Sequence, residues 1–225
     1  MIAAVSEEPE LDRGTAGDSA RREHRRRRDA REARIRARHP RIGRLIAALQ
    51  GPPVHERVWL QGARGEELTA AVLTKRCRPE VVVLHDRRPA GRRANIDHIA
   101  ICPSGVWVID SKAHSGKVSV ERPWFGAPTL RIDGRDQSKL VAQLKTQVAL
   151  VDAALATTAT SPRAPVRGAL SFTADGLPLL RALTVDGVPL LYPRQLAKRL
   201  NARGALGPDQ RQAIAATLAT HFPPA

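Results

Sequence analysis

The chain has 225 residues and a formal net charge of +15 at pH 7, which favours a polyanionic partner or an anionic membrane surface and does not bear on the fold. The length is enough for one α/β domain with an apolar core plus a tail. No apolar run approaches the roughly 18–20 residues of a membrane span, the start lacks a signal-peptide core, and Cys77 and Cys102 lack the spacing of a metal site or a disulfide framework. We therefore expect a cytoplasmic protein without a membrane partner.

The first 44 residues are predicted to form a basic, flexible arm, with residues 1–20 disordered because they are mixed, glycine-containing and acidic. Residues 21–44 hold 12 arginines and three acidic residues. Such a segment can be a solvated, transiently helical arm, or it can anchor the protein on phosphate backbones with salt-dependent affinity. The residues predicted to bind nucleic acid in this way are Arg25, Arg26, Arg27 and Arg28. Residues 45–225 still carry a net +10, so the arm alone does not explain the charge.

From residue 62 onward the pattern is that of a folded domain. The predicted helices, in chain order, cover residues 62–73, 140–155, 193–200 and 208–220. The predicted strands cover residues 81–85, 94–101, 105–112, 129–132, 166–172 and 188–191. A strand before the long helix and another after it indicate a mixed sheet with helices on both faces. The predicted fold class is therefore α/β, in one domain over residues 45–225.

The second and third strands form a predicted hairpin around Pro103 and Ser104. A loop of two or four residues centred there pairs positions whose numbers add up to 207, which sets Asp97 opposite Asp110. Lys112 follows Asp110 by two residues and so lies on the same strand face. A three-residue loop would turn Asp110 to the wrong face, so this prediction depends on the turn. Both faces are otherwise apolar, which is typical of strands at the centre of a sheet.

Two carboxylates held together at the end of a buried sheet repel each other and need a counter-charge. Lys112 can supply it, and so can a hard divalent cation such as Mg²⁺, which is bound by a few carboxylates together with waters and substrate phosphate oxygens. The cation would polarise a phosphate and lower the pKa of a bound water. The spacing alone leaves open a simpler interpretation, an ordinary ion pair between Lys112 and either aspartate.

The residues around this hairpin closely resemble the nuclease-related domain (NERD) family. This family belongs to the superfamily of PD-(D/E)xK nucleases, which includes many restriction endonucleases. The matching segments are 94–99, 103–112, 116–118 and a Gly-x-x-Gly-Glu helix start at 62–66. The resemblance covers about residues 60–172, with 173–225 as a C-terminal extension. It implies a restriction-endonuclease-like mixed β-sheet core flanked by helices, with a disordered or helical basic arm before it.

By position, the resemblance implies that Asp97 and Asp110 are ligands of Mg²⁺ or Mn²⁺ and that Lys112 is the catalytic lysine. Glu66 would be the acidic residue of the first helix, either a further metal ligand or an orienting group. The neighbouring Glu67 is a second, less favoured choice, because the sequence does not define which helical face is turned inward.

Three other features near the hairpin invite a role. Gln147 is a polar residue on the apolar stripe of the long helix; the resemblance places it near the site, and a plain hydrogen bond to backbone is the alternative. His98 alternates to the strand face opposite Asp97 and is expected to be a satisfied core histidine. Trp124 and Phe125 could stack on a base, although packing on the domain is the favoured expectation.

Together these features predict a metal-dependent nuclease that hydrolyses phosphodiester bonds of DNA, with DNA favoured over RNA as the partner. The alternative is a non-catalytic nucleic-acid-binding or interaction module on the same fold, in which the ligand residues are kept for structure.

Overall fold

A six-stranded mixed sheet with helices on both faces forms the centre of the protein. The computed structural model describes residues 11–42, 54–92, 94–156, 164–178 and 182–225. The helices in these residues are α1 (Asp18–Arg38), α2 (Val54–Arg76), α3 (Ser138–Ala156), α4 (Pro193–Leu200) and α5 (Pro208–His221). The strands are β1 (Val82–Arg87), β2 (Ile96–Cys102), β3 (Gly105–Lys112), β4 (Val118–Glu121), β5 (Thr129–Ile132), β6 (Arg135–Asp136), β7 (Val166–Phe172), β8 (Leu183–Val185) and β9 (Val188–Leu191).

The strand order in the main sheet is β1-β2-β3-β7-β9-β8. The pairs β1–β2, β2–β3 and β8–β9 are antiparallel, whereas β3–β7 and β7–β9 are parallel. The crossover from β3 to β7 contains α3, as a parallel connection requires. The strands β4, β5 and β6 form a separate three-stranded sheet within this crossover.

Each face of the main sheet packs on its own pair of helices. On one face, apolar side chains of α2 and α4 cover residues such as Ala100, Trp107 and Ile109. On the other, α3 and α5 cover residues that include Ile99 and Val108. Strands buried on both faces become almost continuously apolar, which explains why all of β3 except its last residue is buried. The predicted α/β class with a mixed sheet is therefore confirmed.

The predicted helices and strands after residue 62 are all present, and three short strands were missed. The first helix is longer than the predicted 62–73 and begins at Val54. The missed strands β4, β6 and β8 have only two to four residues. Segments of that length carry too few side chains to show an alternating pattern.

The expectation of disorder over residues 1–20 is wrong for residues 11–20, and residues 1–10 lie outside the described part. Leu11 packs against the core and Ala20 is buried. The arm continues as α1, which contacts α2. This helix has a polar sequence, and ion pairs between side chains three or four residues apart, such as Glu23 with Arg26 and Arg27, support it.

Gly105 is expected to be essential to the hairpin because its φ of +128° favours glycine and a Cβ there would clash with the Pro165 carbonyl oxygen. Gly105→Ala should lower the free energy of unfolding by about 2–4 kcal/mol in urea denaturation. Gly187→Ala is the matched control, since its φ is +80° but no atom lies within 4 Å of the added methyl group. It should cost only about 1 kcal/mol. Equal losses would show that contact with Pro165 is unimportant.

Candidate active site

The hairpin of β2 and β3 has the register that the sequence predicts. His98 pairs with Ile109 and Cys102 with Gly105, which leaves Pro103 and Ser104 as a two-residue turn. Asp97 and Asp110 lie one residue beyond the His98–Ile109 pair, at the end of the hairpin away from the turn, and are opposite each other.

The carboxylate of Asp97 closes the end of the hairpin. Its Oδ2 accepts a hydrogen bond of 2.7 Å from the backbone N–H of Ser111. The Asp97 side chain therefore takes the position of a backbone acceptor at the ladder end and is held beside Asp110.

Lys112 and Asp110 form an ion pair on this face. The Lys112 Nζ lies 2.5 Å from Asp110 Oδ1, and the two side chains are only 19% and 10% exposed. The ion pair that the sequence analysis gave as the simpler interpretation of this spacing is thus present. Burial lowers the pKa of Lys112, but Asp110 and Asp97 raise it by more, so that it lies above its ordinary value. The ammonium is therefore charged at neutral pH.

Glu66 approaches the same point from α2. Close packing brings the helix there, because a Cβ on Gly65 would lie 3.0 Å from the Ala113 side chain. The Glu66 Oε2 accepts a hydrogen bond of 3.0 Å from the Gly17 N–H. Burial, followed by the nearby charge of Asp86, raises the pKa of Glu66 to about 7. Glu67 instead forms an ion pair with Arg21.

Asp97 is also affected by the crowding of acidic groups. Burial is the main cause that raises its pKa well above the ordinary value, and the charges of Glu66 and Asp110 add to it. The Lys112 charge and the Ser111 N–H offset only part of this effect. Several carboxylates thus lie close together around one ammonium group.

Asp86 is a fourth acidic residue in this carboxylate cluster (Glu66, Asp86, Asp97 and Asp110), and the sequence analysis missed it. It lies near the end of β1 with φ +49° and is 3% exposed. It accepts hydrogen bonds from the Ser19 backbone N–H (2.6 Å), the Ser19 hydroxyl (2.7 Å) and the Asn95 amide (2.9 Å). A lone aspartate after a strand carries no signal that would identify it, because its neighbours come from distant segments.

Gln147 links α3 to the start of β2. Its Nε2 donates a hydrogen bond of 3.0 Å to the Asn95 carbonyl oxygen, while its buried Oε1 has no hydrogen-bond partner among the residues described. Because Asn95 also binds Asp86 and stands two residues before Asp97, the glutamine lies next to the cluster. The sequence analysis offered two interpretations of Gln147, a position near the site and a hydrogen bond to backbone. The two are compatible, because Gln147 binds the backbone of Asn95 beside the cluster.

His98 lies on the other face of the sheet, as expected from its alternation with Asp97. A buried chain of hydrogen bonds runs from His85 to His98 (2.9 Å), then to Ser111 Oγ (3.1 Å), Thr69 (3.0 Å) and Ser171 (3.2 Å). Burial lowers the pKa of His98 well below its usual value. The histidine is therefore a neutral, satisfied core residue.

The donor set fits a hard cation with few protein ligands. Within the described ranges, no three His, Cys, Asp or Glu side chains form a group that could hold a metal ion. Mg²⁺, however, takes one or two carboxylates and completes its shell with waters and phosphate oxygens. Asp97 and Asp110 are such a pair. Burial raises the pKa of Asp97, and the charges of Glu66 and Asp110 add to this rise; a divalent cation would neutralise that negative charge.

A cleft of about 360 Å³ opens beside the end of β3, with both a cationic and an anionic residue in its wall. It is lined by His114, Ser115, Ile132, Asp133, Arg135 and Gln137. His114 follows Lys112 by two residues, which places this part of the cleft wall next to the end of β3. Burial and the charge of Lys112 lower the pKa of His114. A substrate in this cleft would lie next to the hairpin end.

The four arginines expected to bind nucleic acid lie on α1. Arg25, Arg26 and Arg28 are exposed, while Arg27 is half-buried. The Arg27 guanidinium lies over the Trp59 ring at 5.4 Å. The basic surface of the arm is thus attached to α2 by stacking and by the Arg21–Glu67 pair.

The order of strands, the helices on both faces and the position of the acidic residues at adjoining strand ends define a restriction-endonuclease-like fold. The nuclease-related domain (NERD) family model matches residues 61–173, slightly more than half of the chain. The protein therefore belongs to the NERD family, and its function is nuclease-related. Comparisons with curated proteins and with solved structures found no match. No helix in the described part of the chain is long and apolar enough to cross a membrane.

The buried histidines should make stability depend on pH. Burial, together with the charges of Arg13 and Arg87, lowers the pKa of His85 to about 4, against about 6.5 in the unfolded chain. Below pH 6.5 the unfolded chain binds a proton that the folded protein does not, so stability is complete above pH 6.5 and falls as the pH approaches 4.

When the pH is lowered from 7.5 to 5, the free energy of unfolding of His85→Asn should fall by about 2 kcal/mol less than that of wild type. Urea denaturation at both pH values measures this difference. The raised pKa values of Glu66 and Asp97 change the stability in the opposite direction as the pH falls. This contribution is the same in variant and wild type, so it cancels when the two are compared. His221→Asn, at an exposed helix end, is the control and should behave like wild type. An equal pH-dependent loss in His85→Asn would contradict a neutral His85.

Proposed function

We propose that this protein is a metal-dependent nuclease that hydrolyses phosphodiester bonds of DNA. The observation that carries the proposal is that Asp97, Asp110 and Lys112 meet at the adjoining ends of two paired central strands. Two carboxylates and an ammonium group at one point are suited to hold a cation and a phosphate together. The net charge of +15 supports nucleic acid as the partner. DNA is favoured over RNA because the superfamily to which the NERD family belongs includes many restriction endonucleases.

Asp97 and Asp110 would hold the cation, either Mg²⁺ or Mn²⁺. When bound, this cation would polarise a phosphate oxygen and lower the pKa of a water molecule. Glu66 is proposed as a further ligand or an orienting group. With its pKa raised to about 7, Glu66 is present in both protonation states near neutral pH.

Lys112 has a different part from that of the carboxylates. Because the neighbouring aspartates keep its pKa above the usual value, its ammonium cannot accept a proton at neutral pH. It would instead stabilise negative charge that develops on the phosphate. Gln147, whose Oε1 is left without a partner in the described structure, could accept a hydrogen bond from a polar group beside the cluster.

The basic arm would contact phosphates outside the cleft. Arg25, Arg26, Arg27 and Arg28 lie on successive positions of α1, and Arg26 and Arg27 share the carboxylate of Glu23. Contacts of this kind give affinity that falls with salt and carries no sequence preference.

Asp110→Asn should reduce cleavage of supercoiled plasmid in Mg²⁺ by about 100-fold or more, because it removes a ligand charge from the site. EDTA should have the same effect on wild type. Asp186→Asn is the matched control: this aspartate is exposed, pairs with Lys145 and has the left-handed backbone that asparagine tolerates. Wild type and Asp110→Asn that are equally inert on duplex, single-stranded and branched DNA would exclude hydrolysis.

The second candidate is a nucleic-acid-binding module without catalysis. Two observations favour this second function. The Lys112 ammonium forms an ion pair with Asp110, and the Glu66 carboxylate accepts a hydrogen bond from the Gly17 N–H. The acidic groups would then serve to connect the arm, α2 and the hairpin.

Calorimetric titration with Mn²⁺ separates these two functions. A nuclease should show one site in wild type that is lost in Asp97→Asn. Folding should survive the substitution, since replacing one of several crowded carboxylates relieves repulsion. A binding module should show no Mn²⁺ site in either protein, and its salt-sensitive affinity for DNA should be the same in both without metal.

A further inference from the structure

Two large aromatic side chains project into solvent from the loop between β4 and β5. Trp124 is 99% exposed and Phe125 is 94% exposed. The expectation that they pack on the domain is therefore wrong. The chain has only seven aromatic residues of the Trp, Tyr and Phe types, so two of the scarce side chains best suited to a core are left in water.

The aromatic loop (residues 122–128) is supported by the sheet beneath it. Glu121 pairs with Thr129 at its base, and Val118 and Leu130 anchor the two strands in the core. The Arg122 guanidinium donates a hydrogen bond of 3.2 Å to the Thr184 carbonyl oxygen. The aromatic pair is thus presented on an anchored hairpin.

This hairpin is adjacent to the candidate active site. Its first strand begins six positions after Lys112, and the intervening His114 and Ser115 line the 360 Å³ cleft together with Ile132 at the end of β5. The aromatic loop contains one arginine and no acidic residue. A polyanion in the cleft could therefore continue along the hairpin towards the exposed rings.

We propose that Trp124 and Phe125 stack on an unpaired base of the bound nucleic acid, so that the preferred substrate contains single-stranded nucleotides. This inference rests on the proposed function in taking nucleic acid as the substrate. Any base offers a π-face to an aromatic ring once it is unstacked. In a duplex those faces are covered by neighbouring base pairs, and the exposed sugar-phosphate surface offers nothing for the rings to stack on.

The size of the patch favours a base over a protein partner. Two aromatic side chains bury roughly 150–250 Å² each, well below the roughly 800 Å² per partner of a stable protein interface. A base is the size of one such ring and needs no larger apolar surface around it.

The test measures binding of a labelled single-stranded 20-mer and of the corresponding duplex by fluorescence anisotropy, with EDTA present to prevent cleavage. The double variant Trp124→Ala/Phe125→Ala should bind the single strand roughly 10- to 100-fold more weakly than wild type. Its affinity for the duplex should stay within about twofold, because phosphate contacts carry duplex binding.

Two controls show that the rings are responsible. Trp124→Phe/Phe125→Tyr keeps both rings and should restore single-strand binding. Leu68→Ala removes another exposed apolar side chain (55% exposed) and should leave binding unchanged. Thermal denaturation should show the double alanine variant as stable as wild type, since both side chains are in water.

Single-strand affinity that is unchanged in the double alanine variant would overturn the inference, whether or not plasmid is cleaved. It would also be overturned if the double alanine variant lost self-association in sedimentation with unchanged DNA affinity, because the rings would then contact protein. Selective loss of single-strand binding together with an inert wild type would support stacking and refute the proposed nuclease. The two proposals can therefore fail separately.

Discussion

The two-residue turn at Pro103 and Ser104 is the constraint on which the candidate site depends. It pairs His98 with Ile109 and so brings Asp97 beside Asp110. Side chains alternate along a strand, and a slip of one residue would turn one partner of each pair to the opposite face. The same register directs Lys112 towards the aspartates and His98 away from them. Gly105, which begins β3 at a φ that favours glycine, holds the turn against Pro165.

The position of β3 inside the sheet explains the electrostatics of the site. Because β2 and β7 flank this strand, Asp110 and Lys112 have little access to water. Charged groups in such surroundings need partners. The structure supplies the Ser111 N–H for Asp97, the Lys112 ammonium for Asp110 and the Gly17 N–H for Glu66. These partners do not fully compensate, since burial, with the charges of the neighbouring carboxylates added to it, keeps the pKa values of Glu66 and Asp97 raised.

The arm has a structural part as well as a basic surface. Gly17 and Ser19 lie outside the residues that match the family, yet they donate hydrogen bonds to Glu66 and Asp86. The start of α1 thus brings backbone N–H groups and the positive end of a helix dipole to the carboxylate cluster. A segment that composition alone marked as flexible is therefore part of the surroundings of the candidate site.

The sequence by itself determined the elements whose signals are local. The hairpin register follows from one turn, α3 from apolar spacing, and the bounds of α4 from a proline at its start. Only the tertiary structure decided which distant groups meet. Asp86 joins the cluster because Ser19 and Asn95 converge on it, and Glu66 rather than Glu67 faces the aspartates because Gly65 packs on Ala113. Trp124 and Phe125 project into water because no part of the described structure covers them, a fact of packing that local sequence does not encode.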